Sequence, residues 1–288
     1  MKFIVTIILF VAGSTALNAQ FYYMDVLTTK QTNQLYKQLR NLDTRKISAT
    51  SYEADEMSED FFLEQVISND GKQITTRSAS INNEVSFFFS NYVANRISHT
   101  VDSSKHATNT VDYIYDNGGR ILQINSNSKD FDGTYMLTEN HSWMYNDKGL
   151  PLTMLKVKNG TDTTFVAFVH DADGNVSEEK WQKKNQTIET YYYYYNVKKQ
   201  LSDIVRYSAK AQKLLPDFMF EYDSEGHITQ MTQTQGGIAN YIVWRYTYNA
   251  DGLKEKELVY SKKGELLGRI QYKYRWFQWV PQSLTEVK

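Results

Sequence analysis

The sequence contains no cysteine. This absence excludes disulfide bonds, cysteine-ligated metal sites and the lipid-modified cysteine that anchors many exported bacterial proteins. The chain also lacks an excess of positive or negative charge, because its net charge at pH 7 is only −1. A nearly neutral chain lacks the excess of positive charge that is typical of nucleic-acid-binding proteins, so we expect no nucleic-acid partner.

Long apolar runs are missing except at the N-terminus. Lys2 precedes an apolar stretch over residues 3–12, and small residues follow up to Ala19. This layout is typical of a secretory signal peptide, and it predicts cleavage after Ala19 with a mature chain that begins at Gln20. A retained membrane anchor is disfavoured because the run is too short to span a bilayer, and no later transmembrane segment is expected. The protein is therefore expected in the periplasm or outside the cell.

Six copies of one phrase occupy residues 113–253. Each copy reads aromatic, any residue, aromatic, Asp or Asn, two variable residues, and Gly; only His170 and Lys199 break the pattern. The copies begin at Tyr113, Trp143, Phe168, Tyr193, Phe220 and Tyr246. Such repetition indicates an array of one supersecondary unit.

The Asp or Asn and the Gly occupy the first and fourth positions of a predicted type I turn. The side chain can accept a hydrogen bond from the backbone two residues on, and glycine tolerates the positive φ that leads into the next strand. Turn glycines, with Lys199 counted as one, are spaced by 30, 25, 25, 27 and 26 residues, which is room for two strands per unit. Midway turns are predicted at Asn159-Gly160, Lys184-Asn185 and Gly236-Gly237.

The pattern predicts an all-β protein, a curved antiparallel β-meander of two-stranded units of about 26 residues with about sixteen strands. Shifted aliphatic positions predict β-bulges near Pro151 and Lys254. The sequence leaves an open sheet, a barrel and a sandwich as alternatives.

One helix is predicted over residues 25–42, where Leu35, Leu39 and Leu42 share a face, and it would cover an edge or end of the sheet. Residues 43–60 show no periodic pattern of apolar residues, and we expect them to be a linker or an irregular edge segment. The predicted organisation is a signal peptide at 1–19, a helix and irregular segment at 20–60, and a β-repeat domain at 61–288.

The repeated aromatic residues are the candidate ligand-binding residues. If they faced water, they would form a ladder on which sugar rings could stack; if they faced inward, they would be core. The candidates are Tyr113, Trp143, Tyr193, Phe220 and Tyr246. The five consecutive tyrosines at 191–195 predict rings on both faces of one strand.

No constellation of catalytic or metal-binding residues stands out. Asp116, Asp171 and Asp223 have turn roles, and the five histidines lack metal-ligand spacing. Loops starting at Asp130 and Asp171 resemble calcium loops only in part. We therefore expect no catalytic residue, no metal and no cofactor.

The phrase Tyr115-Asp116-Asn-Gly-Gly119-Arg120-Ile121 resembles the Tyr-Asp repeat of RHS-type proteins, whose consensus is Tyr-Asp-x-x-Gly-Arg-Leu. Tyr222-Asp223-Ser-Glu-Gly226-His-Ile228 is similar, and the likeness spans about residues 110–275. RHS proteins are longer shells that enclose a toxin. The chain also resembles secreted proteins of Gram-negative gut bacteria that carry a domain of unknown function, which implies location and not activity.

These observations favour an exported, non-enzymatic binding or scaffold protein whose partner is a glycan or a surface protein. One alternative is a periplasmic carrier that holds a lipophilic ligand in a curled sheet. A glycoside hydrolase is a further alternative, and it requires two carboxylates about 5 to 9.5 Å apart in a cleft. The oligomeric state is left open.

Overall fold

A computed structural model describes residues 20–53, 56–57, 61–79, 84–104, 106–208, 211–234 and 240–276. A π-helical segment, Tyr22–Leu27, leads directly into helix α1, Thr28–Asn41. The strands that follow are β1 (Thr44–Glu53), β2 (Glu56–Met57), β3 (Phe62–Ile67), β4 (Gln73–Ala79), β5 (Val85–Val93), β6 (Arg96–Ser103), β7 (Ala107–Tyr115), β8 (Ile121–Asp130), β9 (Met136–Tyr145), β10 (Pro151–Lys158), β11 (Asp162–His170), β12 (Val176–Lys183), β13 (Gln186–Tyr195), β14 (Leu201–Ser208), β15 (Lys213–Tyr222), β16 (Ile228–Thr234), β17 (Tyr241–Tyr248), β18 (Lys254–Ser261) and β19 (Leu266–Trp276).

The sheet is an antiparallel meander that closes on itself. Strands β3 to β19 pair in chain order, and β1 pairs with β19 on one side and with β3 on the other. Eighteen strands form this closed ring, and β2 extends it only by pairing with the end of β1. The predicted all-β meander with a short N-terminal helix is confirmed. Of the open sheet, the barrel and the sandwich that the sequence leaves as alternatives, the closed ring of strands corresponds to the barrel.

Strand β1 corrects the prediction that residues 43–60 are irregular. Only Thr44, Ile47 and Ala49 of this strand are buried, so the apolar alternation is too short to be recognised in the sequence. The strand is held mainly by backbone hydrogen bonds to both neighbours, which any sequence without proline can make. The same strand brings the count to eighteen, above the sixteen expected.

Each repeated turn is fixed by its Asp or Asn side chain. In the turn at Asn146, the side-chain oxygen accepts hydrogen bonds from the backbone N–H groups of Lys148 and Leu150, both at 3.0 Å, and Gly149 has a φ of +76°. The turns at Asp171, Asn196 and Asn249 repeat both bonds. The predicted role of these residues is confirmed. Lys199 occupies the glycine position with a φ of +61°, a conformation that is strained for a side chain with a Cβ.

A β-bulge follows every one of the six repeated turns. The two bulges predicted near Pro151 and Lys254 are confirmed, and the same shift of register follows the other four turns. The midway turns at Asn159-Gly160 and Lys184-Asn185 have the positive φ angles of hairpin turns, as expected. The midway turn predicted at Gly236-Gly237 and the signal peptide at 1–19 lie outside the described residues.

The second aromatic of each phrase connects its unit to the preceding one. The Tyr145 hydroxyl donates a 2.8 Å hydrogen bond to the carbonyl oxygen of Ile121, the bulge residue at the start of the strand before. Five other tyrosines make the same bond at 2.7 to 2.9 Å, in the pairs Tyr115 to Ile97, Tyr195 to Val176, Tyr222 to Leu201, Tyr248 to Ile228 and Tyr274 to Lys254. We call this series the tyrosine ladder. It satisfies carbonyl groups where bulges interrupt the regular pairing.

His170 occupies the position of a ladder tyrosine but does not replace its hydrogen bond. Its Nε2 atom is buried and has no hydrogen-bond partner among the residues that the structure describes. Burial lowers the pKa of His170, although the Asp171 carboxylate opposes that shift. The equivalent acceptor for this unit is the carbonyl oxygen of Pro151, at the bulge that starts β10. The ladder is therefore interrupted at β11.

Replacing this histidine should complete the ladder. We expect His170→Tyr to raise the free energy of unfolding by about 1 kcal/mol, because a new hydroxyl bond replaces a buried unsatisfied nitrogen. The midpoint of thermal unfolding should rise by roughly 2–4 °C. Tyr145→Phe is the matched control, which removes one ladder bond and should lower the midpoint by a similar amount. An unchanged or lower midpoint for His170→Tyr would contradict the role assigned to the ladder.

Candidate functional site

The five aromatic residues predicted to bind a ligand point into the closed sheet. Trp143, Tyr193, Phe220 and Tyr246 are 3%, 3%, 6% and 8% exposed, and Tyr113 is half-buried beside them. Four of the five rings are therefore part of the buried interior. The tyrosine run at 191–195 does place rings on both faces, as expected: Tyr191 is fully buried, whereas Tyr194 is 48% exposed.

The inward-facing aromatics pack around the N-terminal segment, residues 20–27, which we call the plug. Phe21 stacks on Trp181 with ring centroids 4.5 Å apart, and Tyr22 meets Tyr193 edge to face at 5.5 Å. The ring centroids of Tyr23 and Phe220 are 5.5 Å apart. Aromatic contacts of this kind contribute more than the burial of their area alone. The plug thus forms part of the core of the strands that surround it.

Helix α1 lies across the end of the sheet that carries the repeated turns. Tyr36 donates a hydrogen bond to the carbonyl of Gly71 and stacks on Tyr92 at 3.7 Å. The Gln38 side chain donates a 2.6 Å bond to the carbonyl of Asp251, in the turn between β17 and β18. The predicted position of the helix over an end is confirmed. Its predicted face is wrong at one residue, since Leu39 is buried but Leu35 is 46% exposed.

Glu179 of β12 caps the inner end of the plug. Its carboxylate accepts bonds from the backbone N–H groups of Phe21 at 2.8 Å and Tyr22 at 3.0 Å. Trp181 Nε1 and the Tyr193 hydroxyl each donate a further bond, both at 2.6 Å. A carboxylate at this position satisfies the free N–H groups of a helical N-terminus and complements its dipole. Burial raises the pKa of Glu179, and the four hydrogen bonds oppose that shift.

A second polar cluster ties the side of the plug to the wall. His141 Nδ1 of β9 lies 2.7 Å from the Asp25 carboxylate, and its Nε2 lies 2.9 Å from Glu139. Trp143 Nε1 donates to the same Asp25 oxygen at 3.1 Å. Glu139 in turn forms a 2.8 Å salt bridge with Lys156 of β10. The imidazole is therefore enclosed between two carboxylates.

The pKa values of this cluster show a charged histidine at neutral pH. Burial by itself would lower the pKa of His141, but the Asp25 and Glu139 carboxylates outweigh it and raise the pKa to about 9. Burial of Glu139 acts to raise its pKa, yet hydrogen bonds from His141 and Lys156 bring it down to about 2. A buried charge is tolerated when it is paired and hydrogen-bonded in this way.

Sequence reasoning missed both polar clusters because their members are far apart in the chain. Asp25 and His141 are separated by 116 residues, and Phe21 and Glu179 by 158. One signal was available: Glu179 occupies an inward position between the apolar residues Val176 and Trp181. A charged residue at an inward strand position indicates a buried partner.

The outer face carries a shallow depression on β17 and β18, which we call the outer cleft. Tyr241, Val243 and Arg245 line it from β17, and Tyr260 and Lys262 from β18 and the turn after it. The guanidinium of Arg245 lies over the Tyr260 ring, 5.1 Å from its centroid, and the Lys262 ammonium lies 6.0 Å from that of Tyr241. The Arg245 Nε also donates a 3.0 Å bond to Gln230 of β16. This surface combines aromatic faces, cations and an amide.

The residues considered for metal binding are occupied in their own turns. The Asp130 oxygens accept bonds from Thr134 and Tyr135, and the Asp171 oxygens accept bonds from Asp173 and Asn175. In the described ranges, one trio of potential ligands lies within 4.8 Å, namely Asp223, Glu225 and His227, and two of these already bond each other in the repeated turn. None of the helices in the described part of the chain is long and apolar enough to cross a membrane.

The histidine cluster predicts a specific pH dependence of stability. Because the pKa of His141 is raised in the folded state, its contribution is fully present below the unfolded value of 6.5 and is lost as pH rises through about 9. We expect the free energy of unfolding to fall by roughly 3 kcal/mol at most across this window, measured by urea denaturation. The buried tyrosines lower the free energy of unfolding further only above about pH 10, where tyrosine ionises in the unfolded chain.

His141→Gln is the control for this pH dependence. It keeps a hydrogen-bonding side chain but removes the titration, so its stability should be flat between pH 6.5 and 9. Asp25 and Glu139 face the imidazole. Because its pKa is lowered to about 2, the Glu139 carboxylate does not titrate in this interval. Equal slopes for the variant and the unaltered protein would show that His141 does not control stability in this range.

Comparison with known proteins found no matching family model. No curated protein matches either. Among solved structures, the chain is similar to a porin-like protein from Bacteroides uniformis, at 11% identity over 81% of this chain and 97% of that one, with a TM-score of 0.40. A porin-like protein from Bacteroides vulgatus matches at 13% identity over 81% and 99% of the chains, with a TM-score of 0.33. The Photorhabdus luminescens Tc holotoxin pore matches at 14% identity over 77% of this chain but 12% of that chain, with a TM-score of 0.34.

Proposed function

We propose that this protein is an exported, non-enzymatic binding protein that recognises acidic glycans through its outer cleft. The observation that carries the proposal is the pairing of two tyrosines with two cations on one exposed surface, while the inward-facing aromatics are enclosed. Export rests on the signal peptide expected at residues 1–19. The repeat array then serves as a rigid scaffold that presents the cleft.

The chemistry of the outer cleft suits a sugar that carries a carboxylate or sulfate. Val243 and Tyr260 lie directly opposite each other on neighbouring strands, so the apolar surface is continuous across both. Aromatic surfaces of this kind are common where one side of a ligand is apolar and the other is wet. Arg245 and Lys262 can bind the anionic group, and the hydrogen bond that Arg245 donates to Gln230 helps to fix the direction of the guanidinium.

The alternative functions find less support. A lipophilic carrier needs an apolar hollow, whereas the plug occupies the interior beside fully buried side chains such as Met154 and Val166. A glycoside hydrolase needs two accessible carboxylates, but Glu179 and Asp25 are enclosed with their hydrogen-bond donors. A protein partner would fit a larger apolar surface better than a shallow mixed one.

Substitution within the outer cleft tests the proposal. We expect Tyr241→Ala and Tyr260→Ala each to weaken binding of an acidic polysaccharide by about tenfold or more, because each removes an aromatic stacking face. Arg245→Ala should abolish the preference for the acidic polysaccharide over its neutral counterpart. Isothermal titration with a panel of acidic and neutral polysaccharides measures both effects.

Tyr194→Ala is the matched control, since Tyr194 is an exposed tyrosine on the outer face of β13, outside the cleft. It should leave binding unchanged. Binding that falls equally in the control, or no binding by any member of the panel, would reject the outer cleft as a glycan site. Unchanged thermal unfolding of each variant shows that a loss of binding is local.

A further inference from the structure

Glu179 is a fully buried carboxylate that lacks a cation. In the part of the chain that the structure describes, its partners are two backbone N–H groups, an indole and a phenol, and no Lys, Arg or His side chain forms an ion pair with it. Another buried acid, Glu257, differs because it pairs with Lys254 at 2.8 Å. A buried charge without a counter-charge is costly.

Two further carboxylates, Asp217 and Glu189, belong to the contacts at the inner end of the plug. At the inner end of the plug, the Gln20 side chain donates a 2.8 Å bond to Asp217. One guanidinium, Arg206, lies 3.2 Å from Asp217 and 3.8 Å from Glu189, so a single cation is shared between two acids. Arg206 is thus bound to these two acids, and among the described residues no ion pair joins it to Glu179.

The main chain reaches this place at the residue where cleavage of the signal peptide is expected. Gln20 is only 3% exposed, and the next residue donates its N–H to Glu179. Because backbone nitrogens of adjacent residues are about 3 to 4 Å apart, the nitrogen of Gln20 lies within roughly 7 Å of the Glu179 carboxylate. Once cleavage separates this nitrogen from the chain before it, rotation about the Gln20 backbone dihedrals can move it towards the carboxylate.

We infer that removal of the signal peptide completes the fold, because the α-ammonium group that cleavage creates on Gln20 becomes the counter-charge of Glu179 inside the closed sheet. The inference depends on the predicted cleavage after Ala19 and is independent of glycan binding. Hydrolysis by a signal peptidase breaks the Ala19–Gln20 peptide bond and consumes one water: its oxygen ends in the new carboxylate of Ala19, and both its hydrogens end on the Gln20 nitrogen, which becomes an ammonium group. An uncleaved chain has a neutral amide at the same position.

The pairing also has a consequence for the chemistry of Gln20. A free N-terminal glutamine can cyclise when its amino nitrogen attacks the side-chain amide carbon and ammonia leaves. Here the side-chain amide is held by Asp217 and the amino group by Glu179, so the two reacting groups are kept apart. The folded protein should therefore retain an uncyclised N-terminus, and cyclisation should begin only after unfolding.

A double-mutant cycle tests the pairing with the full precursor, exported by a Gram-negative host and purified after processing. One variant inserts Gly-Ser after Ala19, which moves the new amino group away from the carboxylate without changing the plug. The other is Glu179→Gln, and the fourth protein combines both changes. We expect the insertion to lower the thermal midpoint by at least about 5 °C with Glu179 present, and by much less with glutamine there.

Glu257→Gln is the matched control, because it alters another buried acid that already has a lysine partner. The insertion should lower the midpoint equally with and without this change. In the unaltered protein, the α-amino group should resist acylation until urea is added, which provides a readout that does not depend on the folding of any variant.

Three results would overturn the inference. The first is an insertion effect of the same size with Glu179 and with glutamine. The second is an intact mass that shows a start other than Gln20, or a chain lighter by one ammonia because the N-terminus has cyclised. The third is an α-amino group that reacts with the acylating reagent at the same rate before and after unfolding. Each of these leaves the glycan proposal untouched.

Discussion

The two-sided pairing of β1 is the constraint on which the rest of the structure depends. By bonding to β19 and β3, this strand removes both free edges of an eighteen-stranded sheet. Only two residues, Leu42 and Asp43, separate α1 from β1, so the helix must lie at the end of the ring where β1 begins. The segment before the helix then has a direct path into the interior. Closure, the helical cover and the plug are thus consequences of one short connection.

The interior combines apolar packing with a small number of fully bonded polar groups. Aromatic rings of the plug and the wall supply the buried area, while Glu179 and the His141 cluster fix where the plug sits along its axis. Apolar contacts alone are not directional, and an aromatic plug could slide among similar rings. Hydrogen bonds to a helical N-terminus and to Asp25 specify one position, as buried polar groups do in other well-ordered cores.

Hydrogen bonds between side chains and backbone groups give every repeated unit the same local structure. The Asp or Asn shapes the turn, a bulge follows, and a tyrosine from the next unit satisfies the carbonyl at that bulge. The bulge interrupts the regular backbone pairing of the strands, and the tyrosine hydroxyl supplies a hydrogen bond to the carbonyl group at that interruption. Where His170 replaces the tyrosine, this compensation is missing, and a buried nitrogen is left without a partner. The motif is therefore explained by structure without recourse to a ligand.

The sequence by itself determined the features that depend on neighbouring residues: the two-stranded unit, its turn chemistry, the bulges near Pro151 and Lys254, and a helix at the N-terminus. These features repeat or are local, so a few residues specify them. Only the tertiary structure decided closure through β1, the inward direction of Trp143 and Tyr193, and the seat of the plug at Glu179. Each of these joins residues more than a hundred positions apart or depends on the curvature of the whole sheet. A local sequence pattern specifies neither the distant pairing partners nor the curvature of the sheet, because both are set only when all strands are assembled.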